Sequence, residues 1–397
     1  MKIVYLNYMW DLWGISIGST IKALEVLRAL ESCGHEIKKY WLNDDFDRKG
    51  GEGPRESTNP LRQTMKKYFK RYLHEPSQLI KNFGLINQEM AILEKEKPDL
   101  VISRIDSYNF SNSLVQQRSK LPFLIEADCP ASYEKIVFQK YFRSTKSLLY
   151  YLERMQIMTG KAAFTVSNLM KDYFVQHGVP ADFMHVIPNG ADPDRFRSDV
   201  DTTEVKEKYD LDGSTIVGFV GSFIYWHGIE NLTYVMEKTL ASDKNAKFLM
   251  VGDGGPMKPM LEKFIQEKKL ENRAILTGFI PHEEIPKYIA SMDVVLAPYP
   301  KLDFFYYSPV KVYEYMCVGK PVVSTRIGQI AEVVEDKKDG FLTEPDDVEK
   351  ITATIVELLQ NPELRKEVGA AAREKILANH TWKSRGEKLS ELCYQCI

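Results

Sequence analysis

The sequence has no run of about 18 apolar residues, which is the length that a membrane-spanning helix needs. Its first seven residues also lack the long apolar stretch and the cleavage site of a signal peptide. Lysine and arginine (53) nearly balance aspartate and glutamate (55), so the net charge of −2 provides no basic field for a nucleic acid. These absences predict a cytoplasmic protein that does not bind nucleic acid.

Cysteine is scarce, and the five cysteines are scattered over 397 residues. This pattern excludes a disulfide framework and indicates a reducing compartment. Cys393 and Cys396 lie close together, but no second pair completes a zinc site. Residues 44–47 contain an Asp-x-Asp, a carboxylate pair that can hold a metal, with a solvated acidic turn as the alternative. We predict that the protein needs no metal and no cofactor.

The chain runs twice through a series of short apolar segments, each followed by a polar or glycine-bearing loop and a helical pattern. Such segments occur at residues 3–6, 98–104, 121–128, 162–167 and 184–192, and again at residues 215–222, 247–255, 274–280 and 292–298. Alternating strands and helices are typical of doubly wound α/β domains, which bind ligands at the carboxyl ends of their strands. The sequence therefore predicts two Rossmann-like domains.

The polar run at residues 192–213 suggests the linker between these domains. We predict an N-terminal domain at residues 1–195, a C-terminal domain at residues 196–378, and a final helix at residues 379–397 that returns to the N-terminal domain. The loop after the first strand contains Gly18, but its glycine spacing is not the G-x-G-x-x-G of a dinucleotide site.

Residues 306–325 have the pattern of a capped helix followed by a buried strand. Ser308 is a favourable N-cap, Pro309 suits the first helical position, and Gly319 suits a left-handed C-cap. The free N–H groups and the dipole at the start of such a helix attract anions.

Lys311 lies in the first turn of this helix and adds a positive charge to the anion site. Glu314 lies three residues later on the same face, where its carboxylate can accept two hydroxyl groups. Together they suit a nucleoside diphosphate. The alternative is an ordinary helix on which Lys311 and Glu314 form a solvated ion pair.

Polar residues follow two predicted strands of the N-terminal domain. Arg104 ends the run at 98–104, while Glu126 and Asp128 end the run at 121–128, so all three are expected to face a ligand cleft. Two alternatives remain: Asp128 belongs to a simple turn, or Arg104 pairs with Asp106.

Two segments, residues 61–72 and 135–151, combine basic and aromatic side chains at helical spacing. Both suit contact with an anionic membrane surface or a lipid-linked acceptor. The alternative is a pair of amphipathic helices whose aromatic side chains enter the core.

Five motifs occur in the order and roughly the spacing of one known family. They lie at residues 186–196, 221–228, 251–254, 277–279 and 308–323. With them, the chain resembles the retaining GT-B glycosyltransferases of glycosyltransferase family 4, the group 1 transferases, over nearly its whole length. The resemblance implies two Rossmann-like domains facing across a cleft. It also implies transfer of a sugar, with retention of configuration, from a nucleoside diphosphate to a hydroxyl of a glycan or lipid-linked acceptor. Uridine is the commonest base in the family.

The resemblance also assigns roles to residues. Glu314 would bind the ribose, the backbone at Phe279 and Ile280 the base, and Val310 and Lys311 the diphosphate. The implied donor-binding residues are Gly18, Ser222, Gly252, Phe279, Ile280, Val310 and Glu314, and the candidate acceptor-binding residues are Arg104 and Glu126.

The chain departs from the family pattern in its charged residues. Ser222 and His227 replace the usual Arg and Lys, Tyr306 replaces the first Glu, and Asp128 stands where many members have His. A leaving diphosphate needs compensating charge. The candidates are Lys311, the helix terminus, Arg104 and a protonated His227, with Asp128 positioning the sugar or the acceptor.

Two other readings of these departures stay open. His227 is either part of this machinery or only packs against Trp226. For the whole chain, the alternatives to a transferase are a degenerate member that binds a nucleotide without turnover and a nucleotide-sugar epimerase.

Overall fold

The computed structural model describes residues 1–8, 17–42, 74–138 and 146–397. It divides the chain into two compact units: unit 1 comprises Met1–Pro188 with Gly386–Ile397, and unit 2 comprises Asn189–Arg385. The unit boundaries thus fall after residues 188 and 385, whereas the predicted boundaries fall after residues 195 and 378. The predicted Asp-x-Asp at 44–47 and the basic segment at 61–72 lie outside the described residues, as do positions 139–145 of the second basic segment.

Unit 1 contains a parallel six-stranded sheet with the order β2-β1-β3-β4-β5-β6. Its strands are β1 (Lys2–Asn7), β2 (Glu36–Trp41), β3 (Leu100–Arg104), β4 (Phe123–Glu126), β5 (Ala162–Thr165) and β6 (Met184–Val186). β3, β4 and β5 are buried at every residue, because a parallel sheet is covered on both faces. β2 was not predicted: it is an edge strand with charged and only half-buried side chains, so it has no continuous apolar run.

Helices connect and cover these strands. They are α1 (Ile17–Ser32), α2 (His74–Glu96), α3 (Ser111–Ser119), α4 (Ala131–Phe138), α5 (Lys146–Ile157) and α6 (Asn168–Gln176). α2 was not predicted, although it is 23 residues long, because its sequence has a weak apolar periodicity.

Unit 2 contains a second parallel six-stranded sheet with the order β12-β11-β10-β7-β8-β9. Its strands are β7 (Thr215–Val220), β8 (Ala246–Val251), β9 (Ala274–Leu276), β10 (Val294–Ala297), β11 (Val322–Thr325) and β12 (Phe341–Thr343). This order is the one found in Rossmann folds, and the chain changes direction across the sheet between β7 and β10. Ligands of such sheets bind at this switch point, beyond the carboxyl ends of the strands.

The helices of unit 2 lie on both faces of this sheet. They are α7 (Thr203–Lys208), α8 (Ile229–Ser242), α9 (Lys258–Glu267), α10 (Ile285–Ala290), α11 (Val310–Val318), α12 (Ile330–Val333), α13 (Val348–Gln360) and α14 (Pro362–Asn379), followed by α15 (Trp382–Cys396), which unit 2 begins and unit 1 completes. Alternate residues of β8 enter different core clusters: Leu249 and Val251 join one, Phe248 and Met250 the other.

The prediction of a linker at residues 192–213 is wrong. This stretch contains α7 and belongs to unit 2, where Phe196, Val205 and Leu211 enter the hydrophobic core. Three apolar side chains anchor this stretch to the core of unit 2. They are spaced among many polar residues, so the polar composition of the stretch does not reveal them. The predicted fold class, two Rossmann-like α/β domains, is confirmed in each unit.

Candidate functional site

The start of α11 has no side-chain cap. Pro309, not Ser308, is the N-cap, with φ −69° and ψ 110°, so the predicted register of the cap is wrong by one residue. Asn189 explains the difference: its backbone N–H donates to Ser308 Oγ at 3.1 Å, and its side-chain amide donates to the Ser308 carbonyl at 2.5 Å. The Ser308 hydroxyl is therefore used elsewhere, and the helix N-terminus keeps N–H groups for a ligand. The C-terminal prediction is confirmed, because Gly319 has a left-handed φ of 83°.

Lys311 places a buried cation at this helix end. Its stem is half-buried, but its ammonium nitrogen is enclosed and has no hydrogen-bond partner among the described residues. Nζ lies 4.4 Å from the ring centroid of Phe219 and 5.8 Å from that of Tyr299. Burial lowers the pKa of Lys311 to about 7, and the carboxylate of Glu314 opposes this shift only in part. The alternative of a solvated Lys311–Glu314 pair is therefore wrong.

His227 is held as a neutral ring beside this cation. Its Nδ1 lies 2.8 Å from the Ser222 carbonyl oxygen, which can only accept a hydrogen bond. Nδ1 therefore carries the proton of the neutral ring, and Nε2 is unprotonated. Burial and the charge of Lys311 both hold the pKa of His227 well below its usual value. The structure thus argues against a protonated His227 as compensating charge, because a second cation here would be buried beside the first.

The packing of His227 is broader than contact with Trp226 alone. Its ring meets Phe219 and Tyr299 edge-on, with centroids 6.1 and 5.9 Å away, in addition to Trp226 at 6.5 Å. Phe219 and Tyr299 are also the rings that lie near the Lys311 ammonium. His227 and Lys311 therefore share one aromatic enclosure.

Glycines bring three loops into backbone contact beside Lys311. Gly221 follows β7 and Gly252 follows β8, with φ of 142° and 144°. A Cβ added to Gly252 would lie 2.2 Å from the Gly221 carbonyl oxygen, and one added to Gly221 would lie 2.7 Å from Lys311 Nζ. Gly252 also forms a bridge with Gly278, which follows β9. At these three positions the loops present main chain without side chains, as close approach to a ligand requires.

Glu314 lies one turn beyond Lys311 and has a partner that the sequence analysis missed. Its Oε1 is 2.6 Å from Nε2 of His282, and the two side chains are only 6% and 15% exposed. The residues are 32 positions apart, and no motif connects them. His282 lies on the loop after β9, on which Phe279 is 59% exposed while Ile280 packs against the core.

The predicted polar residues of unit 1 form a buried ion network. Arg104 donates to Asp128 Oδ2 at 2.8 Å, and Lys22 of α1 lies 3.4 Å from the same oxygen. Lys22 also donates to Glu126, whose other oxygen accepts from Tyr5 OH at 2.6 Å. The alternative pairing of Arg104 with Asp106 is therefore wrong. Lys22 was not predicted, because a lysine within a helical pattern carries no signal of burial.

This network leaves two polar atoms unused. Arg104 Nε and Asp128 Oδ1 are buried and have no hydrogen-bond partner among the described residues. Burial alone would raise the pKa of Asp128, but the charges of Arg104 and Lys22 lower it below its usual value. Asp128 is therefore ionised at neutral pH, and Glu126 is fully buried beneath it. Gly18 is exposed in the first turn of α1.

The predicted residues thus form one group in each unit. Unit 2 places its group on the loops that follow β7, β8 and β9 and on α11: Ser222, His227, Gly252, Phe279, Ile280, Val310, Lys311 and Glu314. A helix N-terminus, a buried cation and a carboxylate one turn deeper can bind an anion that carries a diol. In the described part of the chain, no group of three or more His, Cys, Asp or Glu side chains can hold a metal ion. Nor is any described helix both long and apolar enough to cross a bilayer.

Two family models match the chain. The model described as "Glycosyl transferases group 1" matches residues 201–375, and the model described as "Glycosyltransferase Family 4" matches residues 18–195. One similar protein is the alpha-D-kanosaminyltransferase of Streptomyces kanamyceticus, which is 27% identical over 255 residues, covering 62% of this chain and 64% of that protein. Another is the GDP-mannose-dependent alpha-(1-6)-phosphatidylinositol monomannoside mannosyltransferase of Mycolicibacterium smegmatis, 29% identical over 232 residues, covering 57% and 60%. Both matches span less than two thirds of the relative's length.

Among solved structures, HepE of Anabaena in complex with UDP is similar over 100% of both chains, with a TM-score of 0.70 and 16% sequence identity. The same protein in complex with UDP-glucose gives a TM-score of 0.69 at 17% identity. At this identity the likeness concerns the fold, which is the GT-B fold of two Rossmann-like domains.

Proposed function

Because the chain belongs to the group 1 glycosyl transferases of glycosyltransferase family 4, we propose that it transfers a sugar from a nucleoside diphosphate to a hydroxyl group of an acceptor. The observation that carries this proposal is the burial of the Lys311 ammonium group without a hydrogen-bond partner among the described residues. A buried ammonium without a partner, beside an uncapped helix N-terminus, is costly unless an anion binds there.

The diphosphate of the donor would occupy the start of α11. Lys311 Nζ and the first N–H groups of the helix supply positive potential where negative charge develops as the phosphate leaves. Gly221 and Gly252 let the phosphates approach the main chain. This arrangement would substitute for the Arg and Lys that the family pattern implies at positions 222 and 227. The neutral His227 would then support the pocket without adding charge.

The nucleoside would extend from the diphosphate toward the loop after β9. Glu314 would accept the ribose hydroxyls, and the backbone at Phe279 and Ile280 would contact the base. We favour uridine as the base of the donor. HepE, a protein of similar fold, binds UDP, whereas the mycobacterial relative depends on GDP-mannose. A thermal-shift series with UDP, GDP, ADP and dTDP tests this choice, because selective binding raises the unfolding temperature. A larger shift with GDP than with UDP would contradict the choice of base.

The reaction would retain the configuration of the sugar. A double-displacement route needs two carboxylates about 5 Å apart, and Tyr306 stands where the motif would supply the second acid. A front-face route is therefore proposed. The bond from C1 to the phosphate oxygen breaks, the bond from C1 to the acceptor oxygen forms, and the acceptor proton passes to the departing diphosphate. Asp128 would position the sugar or the acceptor, with Arg104 and Glu126 acting through it, since both are buried in the same ion network.

The acceptor would be a glycan or a lipid-linked molecule, and the second basic segment would bring the protein to a membrane surface. The described parts of residues 135–151 expose Val137 (52%) and Tyr151 (61%). Sedimentation with vesicles containing anionic phosphatidylglycerol tests this contact. Equal recovery of the protein with neutral phosphatidylcholine vesicles would reject an electrostatic attachment.

The transfer itself is tested by incubating the protein with radiolabelled nucleotide sugars and a membrane extract. We expect transfer to an acceptor or slow hydrolysis of the donor, both reduced strongly in Lys311→Met. Saturable nucleotide binding without turnover would favour a binding protein instead. Interconversion of the free donor without an acceptor would favour an epimerase.

A further inference from the structure

Lys311 and Glu314 are placed to form an ion pair with each other, yet they do not. Opposite charges three residues apart on a helix normally attract, and this pair lies in the first turn and a half of α11. Instead, the Lys311 ammonium has no partner, and Glu314 Oε1 lies 2.6 Å from His282 Nε2. Something outside the helix therefore determines where the carboxylate points.

His282 is the group that does this. A carboxylate oxygen can only accept a hydrogen bond, so Nε2 of His282 carries a hydrogen and donates the hydrogen bond to Glu314. The imidazole is itself held, because its ring lies 5.6 Å from that of Phe196, at 48°. Phe196 is buried in the core of unit 2. The hydrogen bond thus fixes a flexible Glu side chain to an anchored ring.

The position of His282 in the chain gives this bond a second consequence. His282 follows Phe279 and Ile280 on the loop after β9, and Gly278 at the start of that loop bridges to Gly252. The loop expected at the base and the acid expected at the ribose are therefore connected directly. Oε1 of Glu314 is engaged by His282, which leaves Oε2 as the oxygen free for a ribose hydroxyl.

We propose that His282 is a positioning residue that holds the Glu314 carboxylate away from Lys311 and toward the ribose, and that it thereby sets the preference for ribonucleotides over 2′-deoxyribonucleotides. The inference rests on the proposed function, since it needs a nucleoside diphosphate in this site. Without His282, Glu314 is free to turn to Lys311, so one substitution weakens both the ribose contact and the diphosphate contact.

The test is the affinity of the full chain for UDP and for 2′-deoxy-UDP, measured by titration calorimetry. We expect His282→Ala to weaken UDP binding by about tenfold, as the loss of a hydrogen bond to a charged group implies. The loss for 2′-deoxy-UDP should be smaller, so the ratio of the two affinities falls. His282→Gln keeps an N–H donor near the Nε2 position and should restore most of the ratio. Adding His282→Ala to Glu314→Ala should cause little further loss.

Controls separate this role from a structural one. His185→Gln changes a partly buried histidine on β6 of unit 1 and should leave both affinities unchanged. A folded His282→Ala protein with an unaltered ratio, or a His282→Gln protein as weak as His282→Ala, would overturn the inference while the proposed function stands. Absence of nucleotide binding in the unsubstituted protein would instead overturn the proposed function and this inference together.

Discussion

Lys311 has opposite effects on stability and on binding: its enclosed ammonium group destabilises the ligand-free protein and strengthens the binding of a diphosphate. An enclosed cation without a hydrogen-bond acceptor costs about 1–3 kcal/mol of folding free energy. We therefore expect Lys311→Met to raise the free energy of unfolding of the ligand-free protein by an amount in that range, as urea denaturation would measure. The same change should weaken UDP binding by 10-fold to about 100-fold, since it removes a charged donor.

Lys320 provides a matched control for that experiment. It stands just beyond the other end of α11, is also largely buried, and donates to the Ala290 carbonyl at 2.7 Å. Lys320→Met should lower the free energy of unfolding by about 1 kcal/mol and leave UDP affinity unchanged. Equal loss of affinity in the two variants would remove Lys311 from the binding site.

The lowered pKa of Lys311 also predicts a pH dependence of donor binding. In the free protein this pKa is about 7, and a bound diphosphate must raise it, because an adjacent anion favours the charged form. Binding therefore takes up a proton above pH 7, and affinity falls as pH rises, by up to about tenfold per pH unit. Below that pH the affinity levels off, because Lys311 is already charged.

Titration calorimetry with UDP-glucose in two buffers of different ionisation heat measures this proton. The sugar ester removes the terminal phosphate group that would otherwise titrate near this pH. We expect proton uptake at about pH 8 that is absent in Lys311→Met. Equal heats in both buffers would contradict the assignment. His227 should contribute nothing to this proton uptake, because its pKa is well below its usual value and the ring is already neutral near pH 8.

At the scale of elements, the loops after β7 and β8 depend on glycine for their contact. Gly252→Ala places a Cβ against the Gly221 carbonyl at a φ of 144°, so backbone must move. Gly254 has a φ of 70°, but a Cβ there meets nothing within 4 Å. We expect urea denaturation to show a loss of about 3 kcal/mol or more for Gly252→Ala and about 1 kcal/mol for Gly254→Ala. Similar losses would contradict the packing of these loops.

Elements with a continuous apolar run were predictable, because parallel strands are buried on both faces. β3, β4, β7 and β10 were all found this way. β2 and α2 were missed, since an edge strand and a helix of weak periodicity have little apolar pattern.

The candidate site was predictable where one motif contains it and not where it depends on distant contacts. Residues 308–319 marked the helix, its C-cap, Lys311 and Glu314. The capping role of Ser308 failed because Asn189, more than 100 residues away, engages its hydroxyl. His282 pairs with Glu314, and Lys22 pairs with Glu126. Both partners are distant in the sequence, so nothing near His282 or Lys22 in the chain indicates these contacts.

At the scale of the whole molecule, the same plan occurs twice. Each unit is a six-stranded parallel sheet, and each places its polar group beyond the carboxyl ends of the strands. In unit 2 that group extends from the loop after β7, beside the switch point, to the loops after β8 and β9. In unit 1 Arg104 ends β3, next to β1, where the strand order reverses. The two groups differ in charge balance. Unit 1 pairs Arg104 and Lys22 with Glu126 and Asp128, whereas unit 2 leaves Lys311 without a partner among the described residues.

Hydrogen–deuterium exchange of the full chain with and without UDP shows where the nucleotide binds, and so tests whether the start of α11 is the diphosphate site. We expect protection of residues 221–228, 252–255, 277–282 and 308–314 in unit 2, and loss of that protection in Lys311→Met. Protection confined to another surface of unit 2, such as the groove between α8 and α13, or equal protection in the variant, would contradict that placement.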